Sequence, residues 1–256
     1  MPKSPLRELI KRLLKPTGYT ITRLDVKVNP QHLNHVTAQQ FLDLYFSRIS
    51  KDFFFVQIGA NDGQTEDLLH PYILKYNLSG LLVEPQKDIF EKLKQTYAGR
   101  DNLIFVNTAI ASERGSLPFY KVRGSLINET NAYQASAISS LNKETLRGRI
   151  ARRVPRYFPR ISENLDDYIE EITINTMTFE DLVRQYEIKK IDFLFIDCEG
   201  YDYEILKMVD FKRFSPSLIN YESNHLNDEE RAACEAMLHK EDYQTFRTVN
   251  DTCAFK

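Results

Sequence analysis

The sequence predicts an α/β fold built on a mostly parallel sheet, and three observations carry that prediction. Short apolar runs of strand length recur from residue 53 onward, separated by stretches of helical periodicity, as parallel strands joined by crossover helices require. Each run is nearly continuous in Phe, Ile, Leu or Val, which suits strands covered on both faces. The chain has 256 residues, 42% apolar and 27% charged, enough to build a core without disulfides and too apolar for a disordered chain.

Taken in order, residues 1–51 read as a helical preface. Within 1–15, Leu6, Leu9, Ile10, Leu13 and Leu14 alternate with Lys3, Arg7, Lys11, Arg12 and Lys15, the spacing of a basic amphipathic helix and not of a signal-peptide core. Such a helix can make a peripheral membrane contact with acidic lipid or dock on a partner subunit; more commonly it lies on its own domain. A second amphipathic segment covers 37–49. The main domain spans 52–256. Its parallel strands are expected at 53–58, 81–84, 103–107, 191–197 and 217–222, and its helices at 66–76, 87–97, 178–186, 203–209 and 228–239. Residues 243–249 and 252–255 read as a closing hairpin around Asn250 and Asp251. Between 111 and 174 the alternation breaks, which marks an insertion: a strand at 117–122, a polar stretch, then Arg147, Arg149, Arg152, Arg153, Arg156 and Arg160, six guanidiniums within fourteen residues.

Composition narrows the function. A net charge of −2 supplies no global field toward nucleic acid or anionic lipid. No apolar run approaches the roughly 20 residues that span a bilayer. Cys198, Cys234 and Cys253 are odd in number and lack zinc or disulfide spacing, so a reducing, cytoplasmic setting is expected.

The chemistry gathers where ligands bind in such sheets, at the carboxyl ends of the strands. The first strand runs into Gly59-Ala60-Asn61-Asp62-Gly63, after which Glu66 is expected to open a helix. Gly59 permits close backbone approach and Gly63 an unusual dihedral. The turn lacks the G-x-G-x-x-G of dinucleotide folds and the Gly-Lys-Ser/Thr of a phosphate loop. That absence counts against a nicotinamide-dependent oxidoreductase. Glu84 ends the second strand, where a carboxylate can accept hydrogen bonds from both hydroxyls of a ribose. The fourth strand ends in Asp197-Cys198-Glu199-Gly200, and the fifth in Glu222, followed by Ser223, Asn224 and His225. Three carboxylates and an imidazole are therefore expected on one rim.

These residues, in this order, resemble the FkbM family of S-adenosylmethionine-dependent methyltransferases. The likeness covers roughly 52–225 and rests on the turn at Gly59, Glu84-Pro85, Asn107-Thr108-Ala109-Ile110, Ser139-Ser140-Leu141, the box Asp197-Cys198-Glu199-Gly200, and Pro216 with Glu222. Two positions depart: Gln57 stands where the family usually has Asp, and Tyr201-Asp202 where Ala-Glu is usual.

The resemblance implies a Rossmann-like class I methyltransferase fold, with seven strands and the last one reversed. It implies S-adenosylmethionine as cofactor, with Gly59, Asn61, Asp62 and Gly63 along its methionine moiety and Glu84 on its ribose. An anionic Asp62 suits an amino group and a sulfonium. Asn107 is placed to meet adenine or simply to form a turn. Asp197, Glu199, Glu222 and His225 are the candidate bases for removing an acceptor's proton, with Asp197 taken as nearest the methyl. The carboxylates have oxygen donors suited to magnesium, but hydrogen bonding or helix capping explains them as well, and no metal is assigned. Ser139 and Ser140 either meet the acceptor or cap a helix beginning near Leu141.

The leading expectation is O-methylation of a hydroxyl on a sugar, glycolipid or other metabolite. The arginine segment is then either a solvated helix face or a clamp for an anionic group on that acceptor. The acidic balance, and the lack of an Asn/Asp-Pro-Pro-Tyr/Phe box, argue against nucleic acid as substrate. The competing expectation is a non-catalytic nucleoside-binding or assembly module that keeps the fold, for which Gln57 is the one positive sign.

Overall fold

The structure, a computed structural model, describes residues 38–50, 52–128, 135, 138–158 and 161–256. The expected helix at 1–15, most of the preface and Arg160 lie outside the described residues. None of the helices among the described residues is long and apolar enough to cross a membrane.

Seven strands form the main sheet: β1 (Phe54–Ile58), β2 (Ser79–Val83), β3 (Leu103–Val106), β8 (Phe193–Ile196), β9 (Leu218–Glu222), β10 (Gln244–Arg247) and β11 (Asp251–Phe255). Their spatial order is β10-β11-β9-β8-β1-β2-β3. The five strands from β9 to β3 run parallel, and β11 inserts antiparallel between β9 and β10. The fold is thus the Rossmann-like α/β class, with its last strand reversed.

Side chains alternate across each strand, and this separates two cores. Val56, Ile58, Leu81 and Val83 pack with Phe179, Leu182, Ile205 and Leu238 on one face. Those partners come from α5 (Phe179–Gln185), α6 (Asp202–Met208) and α7 (Asp228–Lys240). Phe55, Leu82, Phe193 and Phe195 face the other way, onto α1 (Ala38–Phe46), α2 (His70–Tyr76) and α3 (Lys87–Thr96). The α1 contact is aromatic: Phe46, fully buried, stacks on Tyr72 with ring centroids 4.3 Å apart.

Two elements differ from the sequence reading. Glu66 does not open a helix; its φ of 53° is left-handed, and α2 begins only at His70, with proline in its first turn. The second is a nine-residue strand within and beyond the insertion, β7 (Ile169–Met177), which the sequence reading passed over. Its side chains at Ile172, Ile174 and Thr176 alternate with polar ones, the signal that could have revealed it. With β4 (Ala109–Ile110), β5 (Gly115–Val122) and β6 (Ser139–Ser140) it makes a second sheet in the order β4-β7-β5-β6. The expected strand at 117–122 lies within β5. Helix α4 (Lys143–Tyr157) covers this sheet, burying Leu146 and Ile150 with Val122, Ile138 and Tyr168 in a core separate from the other two. Its cap is Asn142, whose side chain accepts from the Thr145 amide, so Ser139 and Ser140 are strand residues and not caps.

The parallel strands converge most tightly where β1 ends. A Cβ on Gly59 would lie 1.9 Å from the Asp197 carbonyl oxygen, and the φ of Gly59 is +83°. Replacing Gly59 with Ala therefore combines strain with a backbone clash, and is expected to cost about 3 kcal/mol or more. Urea unfolding of the variant measures this; a loss below about 1 kcal/mol would show that the strands can part.

Candidate functional site

The carboxyl ends of β1, β2, β3, β8 and β9 open onto one cavity of about 810 Å³, the size of a small-molecule site. The β1 turn forms its floor, and several residues there hold left-handed backbone: Gly59, Asn61, Gly63 and Glu66 from the turn, and Glu199 and Gly200 after β8. Positive φ at non-glycine residues is strained, and such strain collects at functional sites.

Glu84 links the first two loops. Its Oε2 accepts from the Asn61 amide at 3.1 Å and its Oε1 from the Gln86 amide at 2.9 Å, with the side chain almost fully buried. Burial pushes its pKa up to about 7 against the lowering effect of those amides. Two neighbours in the cavity wall hold acceptors with no donor: Gln57 Oε1 and Asn61 Oδ1 are both buried and unbonded. Buried acceptors of this kind call for a ligand donor.

The structure does not bring every expected cofactor residue to the wall. Gly59, Asn61, Glu84 and Asp197 are in it; Asp62, Gly63 and Asn107 are outside it. The Asp62 carboxylate is committed to its own turn, accepting from the Gln64 and Thr65 amides and the Thr65 hydroxyl. Gly63 is packed against Leu93 and Tyr97, either of which a Cβ would strike at 2.6 Å, and its carbonyl accepts from the Tyr97 hydroxyl. Asn107 donates to the carbonyls of Glu84 and Pro85, so it holds the β2 loop from behind, while Thr108, Ala109 and Ile110 form the wall beyond β3.

The other half of the cavity is organised by two residues the sequence reading did not assign. Asp202, fully buried at the start of α6, accepts from the amides of Cys198 (3.4 Å), Gly200 (3.2 Å) and Glu222 (3.1 Å), so one carboxylate ties the β8 loop to the end of β9. Burial and the Glu222 charge raise its pKa to about 7. Arg149, only 3% exposed, reaches out of α4 in the insertion to the Glu199 carboxylate and, at 2.7 Å, to the Glu199 carbonyl. Asp202 departs from the usual family residue, and Arg149 is one of six similar arginines, so nothing local in the sequence singled them out.

Glu199, Glu222 and His225 do come together. His225 Nε2 lies 3.2 Å from Glu199 Oε2 and 3.3 Å from Glu222 Oε1. Although partial burial opposes it, hydrogen bonding to the two carboxylates lifts the imidazole to about 9, so it is a cation at neutral pH. The three ligand atoms fall within 4.8 Å of one another, a spacing a metal ion could use. Arg149 and the imidazolium already neutralise the same carboxylates, so charge balance here does not require one. Asp197 opens into the cavity from the end of β8. Desolvation by the protein atoms around it, together with the charges of Glu222, Glu199, Asp202 and Asp251, pushes its pKa well up.

Among the described residues the wall holds seven carboxylates against one arginine and one histidine. An acidic cavity with unbonded buried acceptors suits a cationic ligand, and S-adenosylmethionine, with an ammonium and a sulfonium, fits that donor set. Glu84 is free to use its remaining lone pairs on a ribose.

Residues 57–248, well over half the chain, match the family model of the Methyltransferase FkbM domain. No curated protein sequence matches. Solved structures with a similar chain path include a precorrin-6y C5,15-methyltransferase from Geobacter metallireducens, with 13% identity, a TM-score of 0.41, and coverage of 84% of this chain and 86% of that one. A Methanococcus jannaschii fibrillarin pre-rRNA processing protein has 11% identity and a TM-score of 0.38, over 81% and 69%. A ribosomal protein L11 methylase from Lactobacillus delbrueckii subsp. bulgaricus has 9% identity and a TM-score of 0.39, over 84% and 75%.

The shifted groups make one pH prediction. Glu84 and Asp202, at about 7, and Asp251, at about 6, hold their protons longer in the folded state than in the unfolded chain, so ionising them removes stability. His225, charged to about 9 when folded, contributes stability that is lost between its ordinary value and that pH. All four act in one direction, so the thermal midpoint of the ligand-free protein should fall as pH rises from about 5 to about 9. Glu84→Gln should flatten the lower part of that slope in a fluorimetric melting series. A midpoint that climbs through this range contradicts the assignment.

Proposed function

The chain belongs to the FkbM methyltransferase domain family, and from that premise we propose that it methylates a hydroxyl oxygen on a small-molecule or glycan acceptor. The methyl donor is S-adenosylmethionine, which supplies a methyl group already attached to a good leaving group. Gly59 and Asn61 would hold its methionine end, with Gln57 Oε1 and Asn61 Oδ1 as acceptors for the ammonium. Glu84 would hold the ribose.

The observation that carries the reading is the convergence of Asp197, Glu199, Glu222 and His225 on one end of the cavity. A neutral alcohol is a weak nucleophile, and transfer to its oxygen requires a base. Asp197 opens into the cavity, and its raised pKa makes it a stronger proton acceptor than an ordinary carboxylate. His225 is already protonated and held between Glu199 and Glu222, so it serves as a fixed counter-charge and Asp197 as the base. As the new C–O bond forms and the C–S bond breaks, the hydroxyl proton passes to Asp197. Gln57, the one sign of a decayed pocket, faces the cavity with a free oxygen and fits cofactor binding equally well.

Glu84→Ala should weaken S-adenosylmethionine binding by about 2 to 4 kcal/mol in calorimetric titration, if both ribose hydrogen bonds form. Asp197→Asn should lower kcat by about 10²-fold or more, the usual worth of a positioned base. The reaction class is tested by supplying isotopically labelled donor with a panel of hydroxylated sugars and locating the label by NMR. A methyl ether supports the proposal, and a label on nitrogen or carbon overturns it.

A further inference from the structure

The insertion builds one wall of the cavity. Phe119 on β5, Ser139 and Ser140 on β6, Leu141 just before α4 and Arg153 on α4 all line it, facing the strand ends that hold the acidic groups. Arg149 and Arg153 are one helical turn apart and so project from the same side of α4. They have different fates. Arg149 is spent on Glu199, whereas the half-buried Arg153 reaches the cavity and makes no hydrogen bond or ion pair among the described residues. Seven carboxylates share the cavity with Arg153, and none is paired with it.

We propose that Arg153 is the recognition residue for an anionic group, a carboxylate or a phosphate, carried by the acceptor. The proposal rests on the methyl-transfer reading and narrows its substrate class. A neutral acceptor gains only hydrogen bonds to neutral oxygens from a guanidinium at this wall, and a cationic one is repelled by it. An anionic one would be repelled by the acidic rim unless a cation met it, so a single unpaired arginine converts a disfavoured ligand into a selected one. The planar guanidinium fork matches either anion with two parallel hydrogen bonds. The buried hydroxyl-bearing residues Ser139 and Ser140 and the ring of Phe119 complete a wall suited to a polyhydroxylated body with one charged end.

The test is calorimetric titration of the full chain, first with S-adenosylhomocysteine, then, in its presence, with glucose, glucuronate and glucose 6-phosphate. At least one anionic sugar is expected to bind about tenfold or more tighter than glucose, as one charge-assisted pair allows. Arg153→Gln should erase that preference and leave S-adenosylhomocysteine affinity and the thermal midpoint unchanged, and Arg153→Lys should retain part of it. Which anion is preferred separates carboxylate from phosphate as the group recognised. A preference that survives in Arg153→Gln, or its absence in the native protein, overturns the proposal. So does a loss of S-adenosylhomocysteine affinity in Arg153→Gln at an unchanged midpoint, which would assign the guanidinium to the carboxylate of the cofactor. Failure of the native protein to bind S-adenosylhomocysteine would count against the methyl-transfer reading itself, and is seen before any sugar is added.

Discussion

Negative charge crowded onto one edge of a sheet is the constraint around which this protein is built. The strand ends bring Glu84, Asp197, Glu199 and Glu222 to one rim, Asp251 joins them in the wall, and Asp202 lies close behind. Carboxylates so close raise one another's proton affinity and would push the loops apart. The structure answers in two ways. Backbone amides turn inward onto Glu84 and Asp202, and those bonds set the course of the β1 turn and of the loop after β8. Two cations, Arg149 and His225, take up Glu199 and Glu222. The left-handed residues at Asn61 and Glu199 follow from these ties, since their amides or carbonyls must face the groups they serve.

What remains unpaired defines the chemistry. Asp197 is one of the carboxylates open to the cavity, and Gln57 and Asn61 present acceptors without donors. A cationic cofactor satisfies the acceptors and relieves part of the repulsion, so binding and folding draw on the same electrostatic imbalance. Arg149 ties this balance to the insertion: a helix outside the main sheet contributes the guanidinium that holds the loop after β8. The insertion's side of the cavity and the carboxylates at the strand ends are in this way mechanically connected, although 50 residues separate Arg149 from Glu199.

The sheet was legible because it is written in local pattern. Runs such as Phe53 to Ile58 have no polar face to suggest another element, and the turn and box residues fall directly at their ends. The second sheet was half-legible: β5 shows in its composition, whereas β7 reads as polar because one of its faces is solvated. The start of α2 differs because helical spacing continues back through Leu69 and Leu68, while the Asp62 turn, the left-handed Glu66 and the Asp67 carboxylate on the Leu69 amide hold the chain out of helix until His70.

By itself the sequence determined the α/β class, the succession of the main strands along the chain, and which residues reach their carboxyl ends, because each of these depends on apolar periodicity and on residues a few positions apart. Only the tertiary structure decided that Asp62 and Asn107 are braces outside the cavity wall, that Asp202 joins two loops, that His225 is held as a cation, and that of two arginines on one helix face Arg149 is consumed and Arg153 is free. Those outcomes depend on burial and on charges brought within a few ångströms from distant parts of the chain, and electrostatic energy depends on distance in space and on exposure to water, neither of which is a property of the sequence order.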